Sequence, residues 1–266
     1  MLLDNIYFKS CEKMSELPDE SVNLVVSSPP YFNLKTYACW PTYVDHILFI
    51  ENVLKECYRV LMPGGWICWN IQECIPIPKE QHLNNEREGC YPLLADTIRS
   101  MHDIGYYYEK DIIWFKGKGT ATQKLFGSYP YPSLILVSGL TEHIITARKP
   151  KGKFKRDISE EIKDKSKLTK AEWGAWGVDL WEIPPAKGSV IGHEAPYPVE
   201  LAYRCIRLNS FWGDVVLDPF MGSGSTALAA IKCGRRYIGY EYQEKYIKLI
   251  SARIRNDIDM FGEDNG

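Results

Sequence analysis

Near its carboxyl-terminal end the chain passes from three apolar residues, Val215-Val216-Leu217, into Asp218-Pro219-Phe220-Met221-Gly222-Ser223-Gly224-Ser225-Thr226, and a helical pattern from Thr226 to Cys233 follows at once. Few folds accept that succession. Gly222 and Gly224 let the backbone turn sharply and come close to a ligand, and a helix starting behind them aims unsatisfied N–H groups at the same place. Seventeen residues beyond Gly224, where the strand Tyr237–Tyr240 ends, stands Glu241. A carboxylate there is placed to hold two ribose hydroxyls. The third glycine of the dinucleotide fingerprint is missing, since Ala227 occupies its position. The spacing indicates a nucleoside cofactor, with a glycine turn serving only packing as the alternative.

The rest of the chain alternates short apolar runs with helical spacing, the mark of an α/β fold with a largely parallel sheet. Strands are expected at Val22–Ser27, Trp66–Ile71, Tyr106–Phe115 and Asp214–Leu217, with Glu142–Ala147 returning antiparallel beside Tyr106–Phe115. Helices are expected at His46–Leu61, stopped by Pro63-Gly64-Gly65, at Tyr91–His102 and at Glu244–Ile258. This predicts a Rossmann-like domain: a mostly parallel seven-stranded sheet with one antiparallel strand.

A second chemical signal follows the strand Val22–Val26. In Ser27-Ser28-Pro29-Pro30-Tyr31 two prolines end the ladder and stiffen the turn. The Ser28 hydroxyl and the Pro29 carbonyl then sit beyond the strand's carboxyl end, where both can accept hydrogens from an exocyclic amine. Tyr31 offers a ring face, not a hydroxyl, on which an extruded base can stack. Alone, the same residues read equally well as a surface turn.

Hydrophobic residues make up 45% of the 266, enough for a substantial core. The absence of a long apolar run and of a signal-like start at Met1–Lys9 predicts a soluble, cytoplasmic protein. None of the eight cysteines forms a C-x-x-C pair, which argues for reduced thiols and against bound metal. Net charge is −2, yet Arg148–Lys170 holds ten Lys/Arg against four Asp/Glu. That local +6 suggests phosphate contacts through Lys149, Lys151, Lys153, Lys155 and Arg156, with a solvated surface as the plainer reading.

Taken together, the two motifs resemble the class β amino-methylating DNA methyltransferases of restriction-modification systems, in the permuted order that places Ser-Pro-Pro-Tyr first and Asp-Pro-Phe-Met-Gly-Ser-Gly last. Glu56–Gly65, Asp111–Lys116, Gly127–Pro132, Asp179–Pro184 and His193–Pro198 extend the resemblance along nearly the whole chain. It implies S-adenosylmethionine as cofactor and a catalytic loop of Ser28, Pro29, Pro30 and Tyr31. It implies a cofactor site of Asp218, Pro219, Phe220, Gly222, Ser223, Gly224, Ser225, Thr226 and Glu241, flanked by Pro196. Ser10 stands where relatives carry an acidic residue near the adenine. Serine, rather than aspartate, at the first catalytic position is associated in that family with cytosine N4 products.

Residues 1–149 and 184–266 would then be the catalytic and cofactor halves of one domain, and 150–183 an inserted DNA-recognition element. Double-stranded DNA is the expected partner, with Lys116, Lys118 and Lys124 adding charge and 72–89 forming a further insertion. A partner endonuclease and the choice between monomer and homodimer stay open. Three alternatives remain: an adenine-N6 methyltransferase, a methyltransferase acting on RNA or a small amine, and a non-catalytic nucleic-acid-binding module.

Overall fold

Val22–Ser27 is short, apolar and buried on both faces, as a central strand of a parallel sheet must be. In the computed structural model, which describes residues 1–32, 39–77, 89–117, 131 and 139–262 (side chains as far as 256), it is strand β2. The other elements, in chain order, are β1 (Asn5–Phe8), α1 (Tyr43–Val60), β3 (Leu61–Ile71), β4 (Ile75–Pro76), β5 (Cys90–Tyr91), α2 (Leu93–Ile104), β6 (Tyr107–Phe115) and β7 (Thr141–Arg148). There follow α3 (Glu160–Ser166), α4 (Lys170–Trp176), β8 (Leu180–Glu182), α5 (Gly188–Ile191), α6 (Val199–Asn209), β9 (Val215–Asp218), α7 (Ser225–Lys232), β10 (Arg236–Glu241) and α8 (Glu244–Gly262).

The main sheet has the order β1-β10-β9-β2-β3-β7-β6-β8. Among the described residues, only β7 runs against its neighbours, as the return of Glu142–Ala147 predicts. The described sheet has eight strands and not the expected seven. Both edge strands, β1 and β8, are too short to show alternation in sequence. β4 and β5 form a separate two-stranded ladder. Successive side chains of each strand serve opposite layers. Val25 and Leu217 face α1 and α2, while Leu24, Val26 and Val216 face α6 and α7. Among the described residues, no helix is long and apolar enough to cross a membrane.

Helix α1 starts earlier than its apolar spacing suggests, because Thr42 and Asp45 form a reciprocal capping box. It ends at Val60, before the Pro63-Gly64-Gly65 stop, since Leu61 is already extended and opens β3. The two glycines lie instead inside that strand's irregular start, where the register against β2 shifts.

The Arg59 guanidinium at the end of α1 binds Glu56 at 2.9 Å and Asp19 at 2.6 Å, and donates to the carbonyls of Met14 and Leu17. Glu56 also accepts the Met14 N–H at 2.7 Å. Residues 14–19 are thereby fastened to α1. Arg59 holds the Glu56 carboxyl below its ordinary range. A depressed carboxyl contributes stability that is present above its unfolded value and lost as pH falls through the folded one. Glu56→Gln should therefore cost about 1–3 kcal/mol near neutral pH. The difference should vanish toward pH ~3, read by urea unfolding at both pH values.

Candidate active site

Strands β2 and β9 are parallel neighbours, with Leu24 opposite Val216 and Val25 opposite Leu217. From β2 the chain proceeds to β3 on one side, and β9 lies on the other, so the crevice beyond their carboxyl ends is a topological switch point. There the loops Ser28–Tyr31 and Asp218–Ser223 meet, 190 residues apart in sequence, in a cleft of about 820 Å³. That lies within the range of ligand sites, roughly 300–1,000 Å³.

The loops are tied beneath the cleft by Asp218, which is fully buried. One carboxylate oxygen accepts the Ser27 hydroxyl at 2.5 Å and the Phe220 N–H at 2.9 Å. The other accepts the hydroxyls of Tyr197 at 3.0 Å and Thr226 at 2.5 Å. Burial pushes this carboxyl above its usual range, and the four donors oppose that rise. Asp218 holds the site together from behind and does not line it.

Gly222 and Gly224 both have left-handed backbones, φ +52° and +82°. A Cβ on Gly222 would come within 3.0 Å of His193 Nε2, and one on Gly224 within 2.8 Å of Ile250. His193 packs on the turn and against the Tyr246 ring, its Nδ1 accepting the Ala195 N–H. Glu241 accepts the N–H groups of Gly222 at 2.9 Å and Gln243 at 2.7 Å. Burial raises its carboxyl pKa, opposed by those N–H groups.

Of the residues expected to hold a cofactor, Ser10, Pro196, Pro219, Phe220, Gly222, Ser223 and Glu241 line the cleft. Asp218, Gly224, Ser225 and Thr226 do not; they are packed behind it, with Ser225 Oγ donating to the Tyr197 carbonyl. Their chemistry reads as ligand contact in sequence because the motif does not show which side of the turn faces inward.

Ser28, Pro29, Pro30 and Tyr31 line the other end of the cleft. His46 holds this loop in place. Its Nε2 donates to the Pro30 carbonyl at 2.9 Å among the rings of Phe32, Trp40 and Tyr43, and burial lowers its pKa. Asn70 and Glu142 also lie here, and sequence reasoning missed both. Asn70 is the single polar residue near the cleft end of an otherwise apolar strand, and that interruption was an available signal; Glu142 shares β7 with Thr141, His143, Thr146 and Arg148 and does not stand out.

The basic stretch lies elsewhere. Because β7 runs antiparallel, its last residues leave the sheet at the edge opposite the Ser28–Tyr31 loop. Lys149 there donates to the Leu61 carbonyl at 2.8 Å and pairs with Glu20 at 3.2 Å. The Lys151 side chain covers Gly64, and Arg156 pairs with Asp214 at the start of β9. Lys149, Lys151, Lys153, Lys155 and Arg156 are thus separated from Ser28 by the length of β2, roughly 20 Å at about 3.3 Å per residue. The structure does not bring them to the cleft. Within 150–183, Trp181 is buried in the core and Trp173 exposed; this segment crosses from that far edge to the sheet as α3, α4 and β8. Lys116 does reach the cleft, but its ammonium is paired with Glu142 at 2.5 Å. Lys118, Lys124 and most of 72–89 lie outside the described residues.

Residues 22–252 match the family model of N6/N4 DNA methylases. The type II methyltransferase M.MthZI of Methanothermobacter thermautotrophicus is 33% identical, over 97% of this chain and 78% of its own. A DNA modification methylase of Thermus thermophilus, solved with S-adenosyl-L-methionine, has a TM-score of 0.76 and 29% identity over 95% of this chain and 93% of that one. Two further matches differ in the chemistry of their own reactions. The DNA adenine methyltransferase YhdJ of Escherichia coli is 28% identical over 94% of this chain and 81% of its own. The cytosine-N4-specific PvuII DNA methyltransferase shares the fold, with a TM-score of 0.65 and 19% identity over 92% of this chain and 84% of its own. The motifs, the switch-point cleft and these matches agree: the chain belongs to the N6/N4 DNA methylase family, and is an S-adenosylmethionine-dependent DNA amino-methyltransferase.

Proposed function

We propose that the protein methylates the N4 amine of cytosine at a specific site in double-stranded DNA, on a base swung out of the helix. The observation that carries this reading is Ser28 at the head of the catalytic loop, its Oγ within 3.2 Å of the Asn70 amide at the cleft wall. The cleft suits the cofactor. Gly222 gives a turn that a Cβ would obstruct, Glu241 presents a buried carboxylate, and Phe220 adds an apolar wall. When bound, S-adenosylmethionine supplies a methyl group on positively charged sulfur.

A base amine is a weak nucleophile because its lone pair is delocalised into the ring. Ser28 Oγ and the Pro29 carbonyl accept its hydrogens and favour the pyramidal nitrogen, whose lone pair takes the methyl group as the bond to sulfur breaks and the sulfur becomes neutral; the nitrogen then gives up its surplus proton to water. Tyr31 stacks on the extruded ring. No charged base is required, since position and electrostatics lower the barrier. The adenine-N6 reading is favoured by one observation, the resemblance to YhdJ.

Mass spectrometry of digested, methylated DNA tests the proposal, and the expected product is N4-methylcytosine. N6-methyladenine alone would transfer the reading to adenine. 5-Methylcytosine would contradict the chemistry, which for a ring carbon needs a cysteine nucleophile that Ser27–Tyr31 lacks. Ser28→Ala should slow transfer by about ten- to a thousandfold, the scale of one lost transition-state contact.

A further inference from the structure

We propose that Glu142 is the positioning residue of the catalytic loop, fixing both the Tyr31 ring and the hydrogen-bonding sense of the Ser28 hydroxyl. The inference rests on the amine-methylation reading above. Glu142 is the second residue of β7, which reaches the cleft by its beginning because it runs against the sheet. It is 7% exposed. One carboxylate oxygen accepts the Tyr31 hydroxyl at 3.0 Å and Asn70 Nδ2 at 2.6 Å. The other accepts Lys116 Nζ at 2.5 Å, and that ammonium also lies 5.0 Å from the centre of the Trp114 ring. Donors from three separate segments converge on one acid.

A buried ion pair seldom adds stability over well-packed apolar residues, so stability alone is a weak reason for this group to be here. Its geometric effect is specific. An amide oxygen facing the carboxylate would be repelled, so Asn70 must turn Nδ2 toward Glu142. The same nitrogen then donates to Ser28 Oγ at 3.2 Å. Among the described residues, Asn70 Oδ1 is left buried without a hydrogen-bond partner. Asn70 alone would not choose that orientation; Glu142 imposes it. Ser28 therefore spends one lone pair on Asn70 and offers its remaining lone pair and its proton elsewhere. On the other side, the tether at the phenol oxygen restrains rotation of the Tyr31 ring. The sequence reading, in which only the ring face matters, gives way here: the hydroxyl is part of the arrangement.

The test is single-turnover methylation of a duplex target at saturating cofactor and DNA. Glu142→Gln should slow transfer by about 10–100-fold, and Tyr31→Phe by about 3–30-fold. Calorimetric affinity for the cofactor and the half-saturating DNA concentration should stay within about twofold of wild type for both. The double variant should be close to the slower single variant and not to the product of the two losses, because the residues act through one contact. Glu142→Gln leaves Lys116 without its counter-ion, so Lys116→Met/Glu142→Gln is measured as well. It should fold and be as slow as Glu142→Gln. Wild-type rates in Glu142→Gln, strictly multiplicative losses, or a matching fall in cofactor affinity would overturn the inference alone. A wild-type protein that transfers no methyl group to DNA would overturn the parent reading, and this one with it.

Discussion

Asp218→Ala should destabilise the protein by about 3–5 kcal/mol, the scale of breaking a buried polar network, and should abolish cofactor binding. The alanine leaves four donors without their acceptor: the hydroxyls of Ser27, Tyr197 and Thr226 and the Phe220 N–H. The three hydroxyls lie in the interior, where an unsatisfied donor loses its hydration with nothing in return; Tyr197 and Thr226 keep each other and the Val26 carbonyl as partners, so Ser27 loses most. The same carboxylate joins the end of β2 to the turn after β9, so its loss also loosens the cleft wall. Urea unfolding measures the first effect and calorimetry with S-adenosylmethionine the second. Asp218→Asn keeps one acceptor oxygen but turns an NH₂ group toward existing donors, and should fall between the two. A variant as stable as wild type would mean that Asp218 does not organise the site.

Gly222→Arg should eliminate cofactor binding while leaving the fold recoverable. The position combines a left-handed backbone with a Cβ contact of 3.0 Å to His193, and it lines the cleft. A long side chain must either displace His193 or occupy the ligand's space. Glu241→Ala acts without steric conflict and should weaken binding by about 1–3 kcal/mol through lost charge-assisted hydrogen bonds. Both measurements are calorimetric titrations. Wild-type affinity in both variants would remove the cofactor from this end of the cleft.

The parts of the fold legible in sequence were those where local pattern and tertiary role coincide. Val22–Ser27 and Val215–Leu217 are short apolar runs because each is covered on both faces, and the glycines between β9 and α7 mark a turn that tolerates no Cβ. The end of the cleft walled by Pro219–Ser223 and Glu241 follows from that one turn. At the opposite end the Ser28–Tyr31 loop was legible, but the residues that hold it were not, because Asn70 and Glu142 come from two further strands whose convergence on it depends on strand order and direction. Where the basic stretch sits relative to the cleft was hidden for the same reason. Charge is visible in sequence, but the direction of β7, which carries Lys149 to the far edge, is a property of the sheet.

The pairing of β2 with β9 also bears on how the molecule is assembled. Ser27 is synthesised 191 positions before Asp218, and Asn5–Phe8 finds its partner only in Arg236–Glu241. A nascent chain must keep its future central strand unpaired on one side while most of the polypeptide is made. Such non-local pairing gives high contact order, hence slow folding and a long interval in which that strand edge can meet other chains. Lower expression temperature and added chaperones should therefore raise the soluble yield, and a fragment lacking β9 and β10 loses the wall formed by Pro219–Ser223 and Tyr240–Gln243 and with it the cleft.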